Sequence, residues 1–236
     1  MNETLALERL ADRIIEPGRV TTWLNHWSLM HADWCALAET DLIGFDGTLL
    51  GMVLARHGHP VVRTSADLTL PLVLRGRLDP SDRIVFIGAA QGVAERAAAR
   101  FPDHDITVFD GYQGLLALSK DPSALVDVDP RLVVVALGAG RQEEWASRVH
   151  DLLPRASVCT AGGWLDQLAD REQYFPPWVH RARLGWALRI LREPRRLTGR
   201  YTVEAATFAR VAPQLVRRLE ALGEFRDDTL VVTRPA

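Results

Sequence analysis

The middle of the chain alternates short apolar runs with amphipathic segments, and this alternation constrains the fold more than any other feature of the sequence. The run LVVVAL at 132–137 is continuous, which is typical of a strand covered on both faces. Strands that alternate with helices indicate βαβ units and a parallel sheet. We therefore predict an α/β protein, with a Rossmann-like parallel sheet flanked by helices and a mostly helical, basic C-terminal appendage.

The predicted strands are short apolar segments bounded by turn residues. They lie at 19–23, 41–45, 83–87, 105–109, 132–137, 156–160 and 229–233. The predicted helices show apolar residues at helical spacing. They lie at 3–16, 26–38, 48–57, 67–74, 93–101, 112–118, 142–153 and 202–222. Pro71 argues against a long helix in the fourth of these segments, because proline lacks a backbone N–H.

Composition and charge divide the chain near residues 172–177. Residues 178–201 hold seven Arg and one Glu, so this segment carries a charge of +6 and the rest of the chain −8. We predict an α/β body at 1–172 and an arginine-rich helical appendage at 173–236. Such asymmetry indicates an anionic partner for the basic segment. A basic amphipathic helix with Trp favours an anionic membrane surface, and nucleic acid is not expected because the rest of the chain is acidic.

The expected location is cytoplasmic, peripheral on the inner face of the membrane. No window approaches the roughly 18 apolar residues of a membrane-spanning helix. The N-terminal segment carries charges throughout, unlike a signal peptide. We expect the two cysteines, Cys35 and Cys159, to be reduced core thiols.

Glycine-containing turns follow four predicted strands, at the edge where parallel α/β sheets bind ligands. They are Asp46-Gly47, Gly88–Gly92, Gly138–Gln142 and Gly162-Gly163. Glycine lets a ligand approach the backbone closely, and a helix N-terminus offers free N–H groups to a diphosphate. Together the four turns predict a nucleotide-type ligand.

Several motifs resemble the WecG/TagA/CpsF family of glycosyltransferases, over roughly residues 20–201. They are GAGRQEEW at 138–145, GGWLD at 162–166, PPW at 176–178 and LGWALRILREPRRLTGRY at 184–201. Segments at 46–60, 87–101 and 110–112 are similar to further motifs of the family. The chain departs from the family pattern at Trp23, where the family usually has Thr, and at Gln113, Gly140 and Gly185.

The resemblance implies an inverting enzyme that transfers a sugar, typically an N-acetylhexosamine, from a UDP-sugar to a polyprenyl-diphosphate-linked acceptor in surface polysaccharide synthesis. Asp46 matches the family's catalytic aspartate, which would take the proton from the acceptor hydroxyl. The expected donor-binding residues are Gly47, Arg63, Gly88, Gly138, Gln142, Gly162 and Gly163. The arginines expected to contact the acceptor diphosphate and the membrane are Arg189, Arg195, Arg196 and Arg200.

Neither a metal nor another cofactor is expected. Asp127-Val-Asp129 has the D-x-D pattern of metal-binding transferases of another fold, but it precedes a strand, at the end opposite the expected site. Without a metal, helix N-termini and arginines would stabilise the departing UDP.

Two alternatives stay open. The segment 84–92, followed by Asp110 at the end of the next strand, is also compatible with a Rossmann-like methyltransferase that binds adenosylmethionine. A diverged binding or scaffolding relative would keep the fold and the appendage without turnover. The sequence also leaves open whether the protein forms a homo-oligomer.

Overall fold

A computed structural model describes residues 3–170, 199, 202–226 and 228–233 of the chain. Within these residues, eight strands form one sheet. They are β1 (Val20–Leu24), β2 (Leu42–Phe45), β3 (Arg83–Gly88), β4 (Asp105–Phe109), β5 (Leu132–Ala136), β6 (Ser157–Thr160), β7 (Gly223–Phe225) and β8 (Thr229–Val232). Their order is β4-β3-β5-β6-β1-β2-β8-β7. Neighbours from β4 to β2 are parallel, whereas β8 pairs antiparallel with both β2 and β7.

Helices connect the strands and cover the sheet. They are α1 (Glu3–Ile14), α2 (His26–His31), α3 (Trp34–Ala38), α4 (Thr48–Arg56), α5 (Ala66–Gly76), α6 (Val93–Ala98), α7 (Gln113–Lys120), α8 (Ser123–Val128), α9 (Arg141–Leu152), α10 (Trp164–Asp170) and α11 (Val203–Leu222). None of these described helices is both long and apolar enough to cross a membrane.

The central strands are buried on both faces because helices lie on each side of the sheet. In β3, Ile84 and Phe86 pack into a core shared with α1, α5, α6 and α10. Val85 and Ile87 point the other way, into a core shared with α7, α8 and α9. A third core, between β1, β2 and β8, is covered by α2, α3, α4 and α11. The two-sided burial explains the continuous apolar runs and confirms the predicted parallel α/β sheet.

The predicted helix at 26–38 is two short helices. Asp33 interrupts it, because its carboxylate accepts hydrogen bonds from the backbone N–H groups of Cys35 and Ala36 at 2.8 and 3.2 Å and so caps α3. In the same helix Cys35 is exposed, so the expectation of a core thiol there is wrong, whereas Cys159 is buried as expected.

Pro71 does not shorten its helix. The helix α5 runs for 11 residues with Pro71 inside it, longer than predicted. Proline at this position removes one backbone hydrogen bond in the second turn. Burial of Leu70, Val73 and Leu74 in the core shared with α1 offsets that loss.

The described C-terminal residues pack on the sheet. The 20-residue helix α11 buries Phe208, Ala212, Val216 and Leu219. The strand β8 follows it and pairs with β2, Leu230 opposite Ile43. The predicted boundary at 172–173 lies outside the described residues, so the division into two units stays a prediction. Residues 203–226 and 228–233 nevertheless share the core of the body.

Replacement of Phe208 by Ala tests whether α11 is an integral part of this body. Phe208 is fully buried, and its ring lies 5.9 Å from that of His26. We expect Phe208→Ala to lower the free energy of unfolding by about 3–5 kcal/mol in urea denaturation, because it leaves a cavity between α11 and α2. The control is Gln214→Ala on the exposed face of α11, expected to change stability by less than about 0.5 kcal/mol. Equal effects of the two substitutions would contradict this packing.

Candidate active site

A cavity of about 570 Å³ opens at the carboxyl ends of β5, β6, β1 and β2. The residues that directly follow these four strands line the cavity. They are 137–139 after β5, 161–163 after β6, Asn25 after β1 and Asp46 after β2. The first turn of α5 and one face of α10 form its walls. The cavity lies where parallel α/β sheets bind ligands, and its volume suits a small molecule.

Asp46 is held in the cavity wall by Arg63. The Nε atom of Arg63 donates to Oδ1 of Asp46 at 2.9 Å, and its Nη2 donates to Oδ1 of Asp67 at 3.1 Å. Burial alone would lower the pKa of Arg63, but the charges of Asp46 and Asp67 outweigh it and raise that pKa above its ordinary value. Arg63 itself does not line the cavity, although the sequence predicted it to bind the donor. In this structure it orients two carboxylates that do.

The cavity lining is acidic. The carboxylates of Asp46, Asp67, Asp166 and Asp170 line it, and within the described residues no Lys, Arg or His does. Since a diphosphate repels carboxylates, a bound sugar nucleotide requires positive charge from elsewhere, in addition to the partial charges of helix N-termini.

Gln142 lies at the base of the cavity with its amide held by the protein. It is only 3% exposed. Its Oε1 accepts from the backbone N–H of Gly162 at 2.9 Å, and its Nε2 donates to Oε1 of Glu143 at 2.8 Å. Gln142 therefore ties the turn after β5 to the turn after β6.

Glu143 accepts hydrogen bonds from three sides. Besides the amide of Gln142, the backbone N–H of Gly140 donates to it at 2.6 Å and the hydroxyl of Thr22 at 3.3 Å. The hydroxyls of Thr22 and Thr160 are 2.6 Å apart, which brings β6 into the same network. Burial raises the pKa of Glu143, and the hydrogen bonds offset this only in part.

The glycines in the turns differ in their surroundings. Gly138 and Gly162 have positive φ values, +83° and +54°, and an added Cβ would meet no atom within 4 Å. They line the cavity, as does Gly163, so a ligand can approach their backbone closely. Gly47 is the N-cap of α4 and Gly88 ends β3, and neither lines the cavity. Gly88 has a φ of +129°, and a Cβ in that conformation would overlap the carbonyl of its ladder partner Ala136, which explains this glycine.

Trp23 lies in the cavity lining where the family pattern has Thr. It pairs with Gly44 across the β1–β2 ladder, and a Cβ on Gly44 would overlap its indole. The residue is 7% exposed, and its Nε1 has no hydrogen-bond partner among the residues that the structure describes.

The ends of β3 and β4, where adenosylmethionine was the alternative ligand, do not reach this cavity. Asp110 accepts from the backbone N–H groups of Tyr112, Gln113 and Gly114 at 2.8, 2.9 and 3.1 Å. These bonds lower the pKa of Asp110. The carboxylate thus serves to cap the start of α7.

The D-x-D segment lies at the end of α8, before β5, and Asp129 pairs there with Arg83 at 2.9 Å. Among the described residues, no group of three or more His, Cys, Asp or Glu side chains is arranged to hold a metal ion. The four arginines expected to contact the acceptor, Arg189, Arg195, Arg196 and Arg200, lie outside the described residues.

Several residues of the cavity were not predicted. They are Ser65, Asp67, Asp166 and Asp170, which line it, and Glu143, which does not line it but is bonded to the lining residue Gln142. Asp166 stands within the GGWLD motif and Glu143 within GAGRQEEW, so the motifs contained them without indicating what they contact. Asp67 and Ser65 come from the start of α5, which no strand-end pattern connects to the site.

The fold and the cavity together define a parallel α/β protein with a ligand site at its strand ends. The chain belongs to the WecG/TagA/CpsF family of glycosyl transferases, whose family model matches residues 1–221.

Two curated relatives agree with this assignment. One is the UDP-Gal:alpha-D-GlcNAc-diphosphoundecaprenol beta-1,4-galactosyltransferase of Shigella boydii, 26% identical over 76% of this chain and 81% of the relative. The other is the N-acetylglucosaminyldiphosphoundecaprenol N-acetyl-beta-D-mannosaminyltransferase of Bacillus subtilis, 29% identical over 48% of this chain and 45% of the relative.

The buried carboxyl of Glu143 predicts a pH dependence of stability. Its folded-state pKa is raised, so its contribution is complete below the unfolded-state pKa near 4.5 and is lost as pH rises through the folded value. Glu143→Gln does not titrate. We therefore expect the free energy of unfolding of the wild type, relative to that of Glu143→Gln, to fall as pH rises above about 4.5.

Urea denaturation at several pH values measures this difference. Glu144→Gln is the matched control, since Glu144 is exposed on the same helix and forms a surface pair with Arg148. A difference between wild type and Glu143→Gln that stays constant with pH would contradict the raised pKa.

Proposed function

We propose that this protein is an inverting glycosyltransferase that uses a UDP-sugar as donor and a polyprenyl-diphosphate-linked sugar as acceptor, in the synthesis of a surface polysaccharide. Family membership and the activities of both relatives support this proposal. The donor sugar is a hexose or an N-acetylhexosamine, since the relatives' names include one transferase of each kind. The observation that carries the proposal is the Asp46 carboxylate, fixed by Arg63 in a cavity at the strand ends.

In this mechanism Asp46 acts as the general base. Its carboxylate takes the proton from the acceptor hydroxyl while the hydroxyl oxygen forms a bond to the anomeric carbon of the donor. The bond from that carbon to UDP breaks on the opposite face, which inverts the configuration. Arg63 holds Oδ1 of Asp46 at 2.9 Å, and this contact fixes the direction of the base.

The departing UDP needs stabilisation in an acidic cavity. The N–H group of Gly162 already donates to Gln142, but the backbone at Gly138 and Gly163 also lines the cavity, and α9 begins beside it with its positive end. We propose that the arginines Arg189, Arg195, Arg196 and Arg200 supply the remaining positive charge, to the acceptor diphosphate and to an anionic membrane surface. The +6 charge of residues 178–201 supports this role and a peripheral location at the inner membrane face.

Transfer in this scheme needs no metal or other cofactor. We expect excess EDTA to leave the transfer rate of purified protein unchanged, because backbone N–H groups and arginines would perform the task of a cation. The measurement is release of UDP with and without chelator. A rate lost with EDTA and restored by Mg²⁺ or Mn²⁺ would overturn this part of the proposal.

Asp46→Asn tests the base. Asn keeps the size of the side chain and an oxygen that can accept from Arg63, but it cannot take a proton. We expect kcat to fall by about 10²–10⁴-fold, with the Kd for UDP changed less than about twofold. Asp103→Asn, in an exposed loop outside the cavity, is the matched control and should keep full activity.

The assay pairs a panel of UDP-hexoses and UDP-N-acetylhexosamines with a short-chain lipid-diphosphate N-acetylglucosamine. Unchanged kcat in Asp46→Asn would remove Asp46 from the mechanism. A wild-type protein that binds UDP but transfers none of these sugars would favour the binding or scaffolding alternative.

A further inference from the structure

The start of α5 lines the cavity and carries a serine hydroxyl that bonds to none of the described residues. Ser65, Ala66 and Asp67 line the cavity, and Ser65 is the N-cap of this 11-residue helix. The carbonyl of Ser65 accepts from the N–H groups of Leu68 and Thr69 at 2.9 and 3.0 Å. Its hydroxyl makes no capping bond, although serine is a common N-cap because its hydroxyl can do so.

The Ser65 hydroxyl has no hydrogen-bond partner within the described residues. Ser65 is 2% exposed, and its Oγ is buried as well as unpaired. Buried polar side-chain atoms are almost always paired, so an unpaired one in a cavity wall points to a partner that the protein does not provide. The N–H groups of Ala66 and Asp67, at the first positions of the helix, add two donors at the same place.

Hydrogen-bond donors and acceptors lie together at the start of α5, and this combination indicates which kind of ligand can bind there. The Asp67 carboxylate accepts from Arg63 and retains lone pairs for further donors. The carboxylates of Asp67 and Asp46 would repel a phosphate. The Arg63 guanidinium would repel an ammonium group, which also cannot accept from the N–H donors. Sugar hydroxyls each donate and accept, so a neutral polyol matches donors and acceptors together.

We propose that Ser65, Asp67 and the first N–H groups of α5 form a subsite for the hydroxyls of a sugar ring. The inference rests on the proposed function, because Arg63 joins Asp67 to Asp46 and so places the subsite beside the base. The ring belongs to the donor or to the acceptor, and both have the same chemistry.

Ser65→Ala tests the subsite, since it removes the hydroxyl and leaves the Asp46–Arg63–Asp67 bonds in place. Titration calorimetry would compare UDP with UDP-galactose and UDP-N-acetylglucosamine, and kinetics would give the KM of the short-chain lipid-diphosphate acceptor. We expect one sugar substrate to bind about five- to tenfold more weakly, while UDP binds as in the wild type. The matched control is Ser119→Ala, whose hydroxyl donates to Leu115 on α7, outside the cavity.

The pattern of losses identifies the sugar. Weaker binding of UDP-sugars alone assigns the subsite to the donor, and a higher acceptor KM alone assigns it to the acceptor. In either case, the sugar should then be tested as deoxy analogues, each of which lacks one hydroxyl. For the hydroxyl that contacts Ser65, the deoxy analogue and Ser65→Ala together should weaken binding by less than the sum of their separate effects.

The failures are also distinct. Unchanged binding and KM in an active Ser65→Ala enzyme would overturn the subsite and leave the proposed function intact. A wild-type protein that binds neither UDP nor UDP-sugars would overturn the proposed function and this inference with it.

Discussion

The site depends on the hydrogen bonds that converge on the buried carboxyl of Glu143. Thr22 donates to it from the middle of β1, and Gly140 donates to it from the turn after β5. Gln142 also donates to it and extends the network to the turn after β6. Parallel strands place their ends at one edge of a sheet, but they do not fix the turns that follow. The network does so here, and a buried polar network is specific only when its members are satisfied. The floor of the cavity is therefore a hydrogen-bonded unit.

Charge is distributed unevenly between this site and the rest of the chain. The described cavity carries four carboxylates, and the one guanidinium that touches two of them is engaged by both. The sequence meanwhile concentrates seven arginines between residues 178 and 201. Opposite charges attract most strongly where water is excluded. An acidic cavity suits the binding of sugar hydroxyls and the action of a carboxylate base, but it repels a diphosphate. The proposed assignment of the diphosphates to the arginines therefore places these two tasks on different parts of the chain.

The sequence predicted the parts of the fold that depend on local pattern. The continuous apolar run at 132–137 predicted a strand covered on both faces, and the turns after the predicted strands placed Asp46 and Gln142 at strand ends. The order of the strands in the sheet could not be predicted from local pattern, because it depends on which strands pair when they are far apart in the sequence. The pairing of β8 with β2 is such a case, since the 183 residues from 46 to 228 lie between them.

Other differences arise from tertiary contacts that no local pattern encodes. The sequence predicts Gly88 as a ligand-binding glycine. In the structure a side chain at this position would overlap the carbonyl of Ala136, which explains the glycine without a ligand. Arg63 is predicted to bind the donor, which stays a prediction, and the structure shows it bonded to two carboxylates of the cavity lining. Ser65 and Asp67 enter the site only because α5 packs with its start toward the strand ends, which the sequence does not reveal.

The fit of Trp23 against Gly44 has a consequence for how this chain can diverge from its relatives. Because a methyl group on Gly44 would overlap the indole, position 44 cannot gain a side chain while Trp23 keeps its place. A smaller residue in place of Trp23 would enlarge the cavity at this wall, and a side chain at Gly44 would require the indole to move. The side chains at positions 23 and 44 therefore influence the volume of the cavity at this wall. Comparison of family members at these two positions together would sort them by the bulk they can admit.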